Sequence, residues 1–262
     1  MHKKLLISLT AAGLIVSCSL YYAQAPQESV SLEGHKVGEA PDFASIQDVT
    51  TRKHQFFSYL KPGIALENQR ILKERIRLES IDKKYRSSQL TDEDTEYAKR
   101  LGKLYDTELP AQGVDENWLA DMLHRVDVIP EALVLTQAAN ESAWGTSRFA
   151  REANNYFGQW CYTTGCGLVP SQRPDGMTHE VKKFRSAQQS IHGYFMNVNR
   201  NQAYHDLREI RYQLHKRGDD LLSLDAAMAM SEGLTKYSER GQQYVNDLRA
   251  MMRHNEPYWI EE

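Results

Sequence analysis

Residues 129–145, IPEALVLTQAANESAWG, say most about the fold and function of this chain. They place one carboxylate at the end of an otherwise apolar helix. Val134, Ala138 and Glu141 recur at i, i+4 and i+7, so they share one helix face, and Gly145 offers a left-handed stop. Burial on such a face removes hydration from a carboxyl group and raises its pKa, which suits Glu141 for donating a proton. The alternative is an ordinary solvated glutamate near a helix end.

The composition is that of a globular protein and argues against several other classes of protein. Hydrophobic residues make up 41% and charged residues 26% of the 262 residues, which is typical of a globular protein and not of a disordered or membrane-spanning one. The formal net charge of −3 argues against a nucleic-acid binder, since such proteins usually carry a basic patch. Contacts with a ligand are therefore expected to be local hydrogen bonds and aromatic faces.

The start of the chain predicts an export signal. Lys3 and Lys4 precede a charge-free apolar run at Leu5–Val16, which is too short to span a bilayer. The run ends at Ile-Val-Ser-Cys, which resembles a bacterial lipobox. We therefore expect residues 1–17 to be a lipoprotein signal peptide and Cys18 to carry the lipid.

Two neighbouring features bear on where the chain is cut and where it goes. Ala23-Gln24-Ala25 has the small-x-small form of an ordinary cleavage site, but Pro26 follows it directly, and proline after the cut is poorly tolerated. Ser19, in the second mature position instead of Asp, resembles lipoproteins sent to the outer membrane. We expect a protein lipid-anchored at the periplasmic side of the outer membrane, with ordinary cleavage after Ala25 as the alternative.

Two segments precede the helix described first. Residues 18–50 are polar and predict a tether, and residues 51–110 predict a helical extension. Pro62 is expected to separate two helices in the extension, because an internal proline removes a helical hydrogen bond. Thr91 with Asp94 three residues later predicts a capping box at the start of a further helix.

A second motif follows the first helix. That helix ends as E-S-A-W-G at Glu141–Gly145, and after a short helix capped by Thr146 or Ser147 the chain reads N-N-Y-F-G at Asn154–Gly158. The two motifs closely resemble the glucosaminidase domain of glycoside hydrolase family 73, whose members cleave the glycan strands of bacterial peptidoglycan. The resemblance implies a mainly α (α+β) chain with a lysozyme-like fold, a small β lobe and its glucosaminidase domain at residues 111–262.

The helical signal lapses after Gly158, where the resemblance places the β lobe. Pro174-Asp175-Gly176 is a turn signal inside this region. Helices are expected to resume at Ser186, to continue with one that begins at Asp219-Asp220, and to end with Gln242–Arg253.

Cys161 and Cys166 are expected to form a disulfide. Once lipid occupies Cys18, an even pair remains in an exported protein, and the periplasm is oxidising. Zinc is the main competing use, but no second cysteine pair or HExxH helix accompanies the two thiols. A cysteine nucleophile beside His179 or His192 is another alternative. We expect no metal and no cofactor.

Glycoside hydrolysis usually needs a second group besides the acid. Glu180 and Asp175 both lie in the expected β lobe, and the resemblance favours Glu180 as the second carboxylate. The alternative is a surface glutamate on a strand edge. In that case an acetamido group on the substrate could be the internal nucleophile, and Glu141 alone would suffice.

Five aromatic residues are expected near the cleft. The stretch LTKYSERGQQYVNDL resembles the family's late G-Y-(A/S)-T-(D/K)…Y motif, with two departures, and Tyr237 matches the tyrosine that lines the catalytic centre. By the same reasoning Tyr156, Trp160 and Tyr162 flank the cleft, because flat aromatic faces suit sugar rings. Tyr156, Phe157 and Trp160 are assigned to substrate binding. The alternatives are a core role for Tyr237 and lobe packing for Tyr156 and Phe157.

The residues and the resemblance together predict an endo-β-N-acetylglucosaminidase that binds and cleaves peptidoglycan glycan strands, with Glu141 as general acid. A lytic transglycosylase has a similar fold and the same helical glutamate, but it ends in an anhydromuramic product. A non-catalytic murein-binding lipoprotein is the third possibility, against which the presence of Glu141 counts. The sequence gives no indication of the oligomeric state.

Overall fold

A computed structural model describes residues 34–171, 173 and 176–259, which contain nine α-helices and one small sheet. The helices are α1 (Val49–Arg86), α2 (Asp92–Leu104), α3 (Glu116–Arg125), α4 (Glu131–Ser142), α5 (Arg148–Ala153), α6 (Ala187–Arg200), α7 (His205–Arg217), α8 (Leu224–Ser231) and α9 (Gln242–Asn255). The strands are β1 (Trp160–Cys161), β2 (Gly167–Leu168) and β3 (Glu180–Lys182). The sheet is antiparallel in the order β1-β3-β2, so Val181 on the central strand faces both Trp160 and Leu168. The predicted class, mainly α and lysozyme-like with a small β lobe, is confirmed.

The longest helix, α1, differs from the prediction at Pro62. It continues through this proline without a break. Leu60 and Ile64, on either side of Pro62, are both fully buried, so packing offsets the cost of an internal proline, which is about 3 kcal/mol. The carbonyl of Pro62 also accepts a hydrogen bond of 3.2 Å from the N–H of His35. The prediction of two separate helices is therefore wrong.

Helix α4 ends earlier than the sequence suggests. Ala143 already has a left-handed backbone with φ of 49°, and Trp144 and Gly145 follow with φ of 60° and 76°. The sequence predicted that the helix ends at Gly145, but the left-handed residue that ends it is Ala143. Gly145 is still required, because a β-carbon there would lie 2.4 Å from the ring of Phe43. After this turn Ser147 caps α5.

A buried ionic network holds the segment that leads into α4. Arg211 of α7 is fully buried and donates to the carbonyls of Asp127 at 2.9 Å and Val128 at 3.2 Å. The carboxylate of Asp127 lies 3.2 Å from Arg75 of α1 and 2.8 Å from the imidazole of His215 of α7. Helices that are distant in sequence thus fix where α4 begins.

The residues before α1 pack against the helices. Phe43 is 2% exposed and meets the ring of Phe56 edge to face, with centroids 5.5 Å apart. The N–H of Val37 donates to the side chain of Gln188 on α6 at 3.3 Å. The buried Val37 and Phe43, together with the partly buried Ala40 and Ile46, therefore dock this segment against the core.

This docking departs from the polar tether predicted for residues 18–50, at least for those from residue 34 onward. Cys18 lies outside the described residues, so its lipidation stays a prediction. The boundary between the extension and residues 111–262 also stays a prediction, because α1 packs directly on α4 and shares its core. No helix in the described part of the chain is long and apolar enough to cross a membrane.

Local capping signals explain most helix starts. Thr91 and Asp94 form the predicted reciprocal capping box, and Ser186 caps α6 as predicted. The helix expected from Asp219-Asp220 is wrong in position, because α8 begins after Ser223, whose hydroxyl accepts a hydrogen bond from an N–H in the first turn.

Candidate active site

Glu141 lies in the last turn of α4, where its two carboxyl oxygens have different surroundings. Oε1 accepts hydrogen bonds from the hydroxyl of Tyr244 at 2.9 Å and from the side-chain amide of Asn140 at 3.1 Å. Oε2 lies against Gly158, where a β-carbon would be 3.3 Å away. One oxygen is thus held by two donors, and the other faces a residue without a side chain.

Burial raises the pKa of Glu141 above its ordinary value. The hydrogen bonds from Tyr244 and Asn140 and the positive charge of Arg240 act in the opposite direction, because each favours the carboxylate. Burial is the larger effect. A carboxyl group with a raised pKa keeps its proton closer to neutral pH, as a general acid must.

Tyr237 borders the surroundings of Glu141. Its ring lies parallel to that of Tyr244 within 5°, with centroids 5.6 Å apart. Its hydroxyl donates to the carbonyl of Phe157 at 2.9 Å, and burial raises the pKa of this phenol, which therefore stays protonated. Tyr237 thus ties the segment between α8 and α9 to the Phe157-Gly158 turn that faces Glu141.

The three aromatic residues assigned to substrate binding differ in exposure. Tyr156 and Phe157 are each 1% exposed, and Phe157 stacks on Tyr194 with ring centroids 4.4 Å apart. Trp160 is 52% exposed on β1, and its inner face stacks on His179. The geometry favours lobe packing for Tyr156 and Phe157, and it leaves Trp160 open to a sugar ring.

Glu180 lies on β3 with its carboxylate turned into the β lobe. Its oxygens accept hydrogen bonds from the N–H groups of Gly165 at 2.9 Å and Gly167 at 2.8 Å. These bonds lower the pKa of Glu180 and so favour its ionised form. Both oxygens thus have a structural partner, and a catalytic role for Glu180 stays a prediction. Asp175 lies outside the described residues.

Cys161 and Cys166 are joined by the predicted disulfide. It closes the loop between β1 and β2, and a carboxylate oxygen of Glu180 lies within 4.8 Å of both sulfur atoms. Because the sulfurs are bonded to each other, neither is a free nucleophile beside His179 or His192, and neither is a thiolate ligand for zinc. Both alternative uses of these cysteines are therefore wrong for the oxidised protein.

The sequence reasoning missed Asn140 and Tyr244, which contact the carboxyl group of Glu141, and Gln137, which contacts Tyr244. The amide nitrogen of Gln137 donates to the hydroxyl oxygen of Tyr244 at 3.0 Å, and the amide oxygen of Gln137 accepts from Tyr194 at 2.5 Å. Gln137 precedes Glu141 by four residues, so both lie on one side of α4. For Gln137 the available signal was this spacing of two polar residues in an apolar helix. For Tyr244 it was the second tyrosine of the late motif in LTKYSERGQQYVNDL.

Comparisons with known proteins identify the family of the chain. Residues 116–257 match the glucosaminidase family model, which is described as mannosyl-glycoprotein endo-beta-N-acetylglucosaminidase. The chain is 33% identical over 230 residues to the "Protein bax" of Escherichia coli (strain K12), a match that covers 88% of this chain and 79% of that relative. No solved structure gives a significant match. The chain therefore belongs to the glucosaminidase domain family, glycoside hydrolase family 73, whose members are peptidoglycan-related hydrolases.

Proposed function

We propose that this protein is an endo-β-N-acetylglucosaminidase that cleaves the glycan strand of bacterial peptidoglycan, with Glu141 as general acid. The environment of Glu141 carries the proposal. Its carboxyl group has a raised pKa, one oxygen is held by Tyr244 and Asn140, and the other faces Gly158 without a side chain between. This is the arrangement that donation of a proton to a leaving glycosidic oxygen needs.

We assign the second catalytic group to the substrate. Each oxygen of Glu180 accepts a backbone hydrogen bond within the β lobe, so these bonds give Glu180 a structural role that does not depend on substrate. Instead, the carbonyl oxygen of the acetamido group bonds to the anomeric carbon as the glycosidic bond breaks, and the leaving oxygen takes the proton of Glu141. Water then adds to the anomeric carbon, reopens the ring that has formed, and returns a proton to Glu141.

Aromatic faces complete the proposed binding site. Trp160 is the exposed aromatic among the residues assigned to substrate binding and offers one ring face to a sugar. Tyr237 is proposed to line the catalytic centre through its position beside Tyr244 and the Phe157 carbonyl. Replacing Tyr237 by Phe would remove one hydroxyl contact and leave the ring, so it should lower activity less than Glu141→Gln.

The test is digestion of purified peptidoglycan by wild type and by Glu141→Gln, followed by mass spectrometry of the products. The near-isosteric amide cannot donate an acidic proton, so the rate should fall by about 10²–10⁴-fold. Glu152→Gln, an exposed glutamate on α5, is the matched control and should keep the wild-type rate. Circular dichroism establishes that both variants are folded.

The products distinguish the candidate activities. N-acetylglucosamine at the new reducing ends supports the proposal, whereas anhydromuramic ends identify a lytic transglycosylase. Wild-type protein that binds peptidoglycan without releasing any fragment would be a murein-binding protein, and a folded Glu141→Gln variant with the wild-type rate would remove Glu141 from the mechanism.

We also propose that Cys18 is lipidated and anchors the enzyme at the periplasmic side of the outer membrane. The lipobox at the end of the apolar run and Ser19 after the cysteine support this proposal. An anchored hydrolase would reach the glycan strands from the membrane side of the wall.

A further inference from the structure

Three buried side chains from three helices converge on the carboxyl group of Glu141. Tyr194 of α6 and Gln137 of α4 are fully buried, and Tyr244 of α9 is 1% exposed. Their hydrogen bonds run from the Tyr194 hydroxyl to Gln137 at 2.5 Å, from Gln137 to Tyr244 at 3.0 Å, and from Tyr244 to Oε1 of Glu141 at 2.9 Å. Because the groups are buried, water has little access to replace any of these bonds.

The side-chain amide of Gln137 fixes which group donates and which accepts in each of these hydrogen bonds. An amide oxygen only accepts and an amide NH₂ only donates, whereas a phenol can do either. Tyr194 must therefore donate to Oε1 of Gln137. The hydroxyl oxygen of Tyr244 is occupied as an acceptor from Gln137 Nε2, so its single hydrogen is directed to Glu141.

The two oxygens of Glu141 are consequently unequal. Oε1 already accepts one hydrogen from Tyr244 and another from Asn140, and a third on the same atom would crowd its lone pairs. Oε2 accepts neither of these hydrogens and lies at Gly158. The acidic proton therefore belongs on Oε2.

We propose that Tyr194, Gln137 and Tyr244 form a one-way hydrogen-bond chain that holds the acidic proton of Glu141 on Oε2, with Gln137 as the positioning residue that sets its direction. This inference rests on the proposed function, because it assigns a geometry to the same general acid. Gln137 itself does not contact the carboxyl group and acts through Tyr244.

The first test reverses the donor at position 137. In Gln137→Glu an oxygen replaces Nε2, so the hydroxyl hydrogen of Tyr244 is drawn away from Glu141. Tyr244→Phe removes the same donor directly. Because the new carboxylate of Gln137→Glu also repels that of Glu141, the uncharged Tyr244→Phe isolates the effect of the lost hydrogen bond. Since a hydrogen bond to a carboxylate favours its charged form, both variants should raise the pKa of Glu141. The direct readout is a carboxyl titration by NMR of protein labelled with ¹³C at glutamate side chains.

The matched variants are Gln137→Met and Tyr194→Phe. Met fills a similar volume but has no strong donor or acceptor, so in Gln137→Met the Tyr244 hydroxyl can still reach Glu141 but is no longer held toward it. In Tyr194→Phe the amide of Gln137 keeps its bond to Tyr244. Their Glu141 titrations should move less than that of Gln137→Glu. In digestion assays Tyr244→Phe and Gln137→Glu should lower kcat about tenfold, as expected for one lost hydrogen bond to a charged group. KM should be unchanged, and the alkaline limb of the pH profile should move to higher pH.

The outcomes separate this inference from the proposed function. If folded Gln137→Glu and Tyr244→Phe titrate Glu141 as wild type does, or lose activity equally at every pH, the chain does not position the proton and the inference is wrong. If Glu141→Gln digests peptidoglycan at the wild-type rate, the proposed function fails. The NMR titration then still shows whether the hydrogen-bond chain controls the pKa of Glu141. Should Gln137→Glu not fold, Tyr244→Phe and Gln137→Met carry the test.

Discussion

Gly158 lies directly against Oε2 of Glu141, although the two residues belong to different motifs of the sequence. A β-carbon at position 158 would be 3.3 Å from this oxygen, and the backbone there has a positive φ of 64°. Glycine is therefore needed at position 158 for two reasons: it adopts the positive φ without strain, and it leaves space beside the carboxyl group.

We predict that Gly158→Ala lowers glycan cleavage at least about tenfold, because the new methyl group displaces the proton-bearing oxygen of Glu141. The variant should also lose about 1–2 kcal/mol of stability from the positive φ. Gly218→Ala is the matched control, since Gly218 has φ of 78° and open space around it. It should show the stability loss in a denaturant titration and keep its activity. Equal activities of the two variants would contradict the prediction.

The raised pKa of Glu141 predicts that this carboxyl group lowers the stability of the folded protein at pH values where it is ionised. The unfolded chain releases this proton around the ordinary value of 4.5, whereas the folded protein holds it to higher pH. The free energy of unfolding therefore falls as pH rises through this interval. Glu141→Gln should melt at a higher temperature than wild type at pH 7, and the difference should shrink near pH 4. A Gln variant less stable than wild type at pH 7 would count against the buried acid.

Glu180 and the disulfide should act on the same loop. The carboxylate bonds the N–H groups of Gly165 and Gly167, and Cys166 lies between them. We predict that Glu180→Gln and Cys166→Ser each lower activity modestly, and that the double variant loses less than the sum, because both remove one restraint on one loop. A double-mutant cycle on digestion rates tests this. A loss for Glu180→Gln as large as that for Glu141→Gln would instead support a mechanism with two carboxylates.

His215 should stabilise the start of α4 in a pH-dependent way. Hydrogen bonds to Asp127 and then Glu79 raise the pKa of His215 to about 9. Because the folded pKa exceeds the ordinary value of 6.5, this stabilisation is complete below about 6.5 and is lost as pH rises through 9. We predict that His215→Gln is less stable than wild type in denaturant titrations at pH 6, and that the gap closes above pH 9.

The control for this prediction is His205→Gln, at an exposed imidazole on the same helix. It should change stability little at either pH. A His215→Gln deficit that is the same at pH 6 and above pH 9 would show that packing and not charge is lost.

The proposed lipidation of Cys18 can be tested by substituting this cysteine. Cys18→Ala should abolish fatty-acid labelling and release the protein from the membrane fraction, since one acylated cysteine with several chains supplies stable anchoring at about 0.8 kcal/mol per buried CH₂. Cys161→Ser should keep both the label and the membrane fraction. Wild-type protein found free in the periplasm after cleavage at Ala25 would contradict the prediction.

The structural features that were predicted correctly from the sequence depend on residues that are close together in the chain. The capping box at Thr91 and the cap at Ser186 need only three or four residues of context, and the motif around Glu141 identified the family. The interior proline could not be judged this way, because Pro62 is tolerated through burial of its neighbours against other parts of the chain.

Helical periodicity could not identify Tyr244 as a partner of the Glu141 carboxyl group, because this contact is also long-range. Tyr244 lies 103 residues after Glu141, and periodicity within a helix carries no information on a contact of that range. Glu180 could be assigned to the β lobe, but strands of two or three residues do not reveal which way a side chain turns. Its bonds to two glycine N–H groups are known from the structure alone.

The docking of Phe43 at the Gly145 turn has a consequence for distance within the cell envelope. Because the chain is fixed to the helices from about residue 34 onward, an anchor at Cys18 leaves residues 18–33 to bridge membrane and enzyme. At full extension these span no more than about 55 Å. With the proposed lipid at Cys18, the point at which Phe43 docks would therefore limit how far from the membrane the proposed hydrolase could reach.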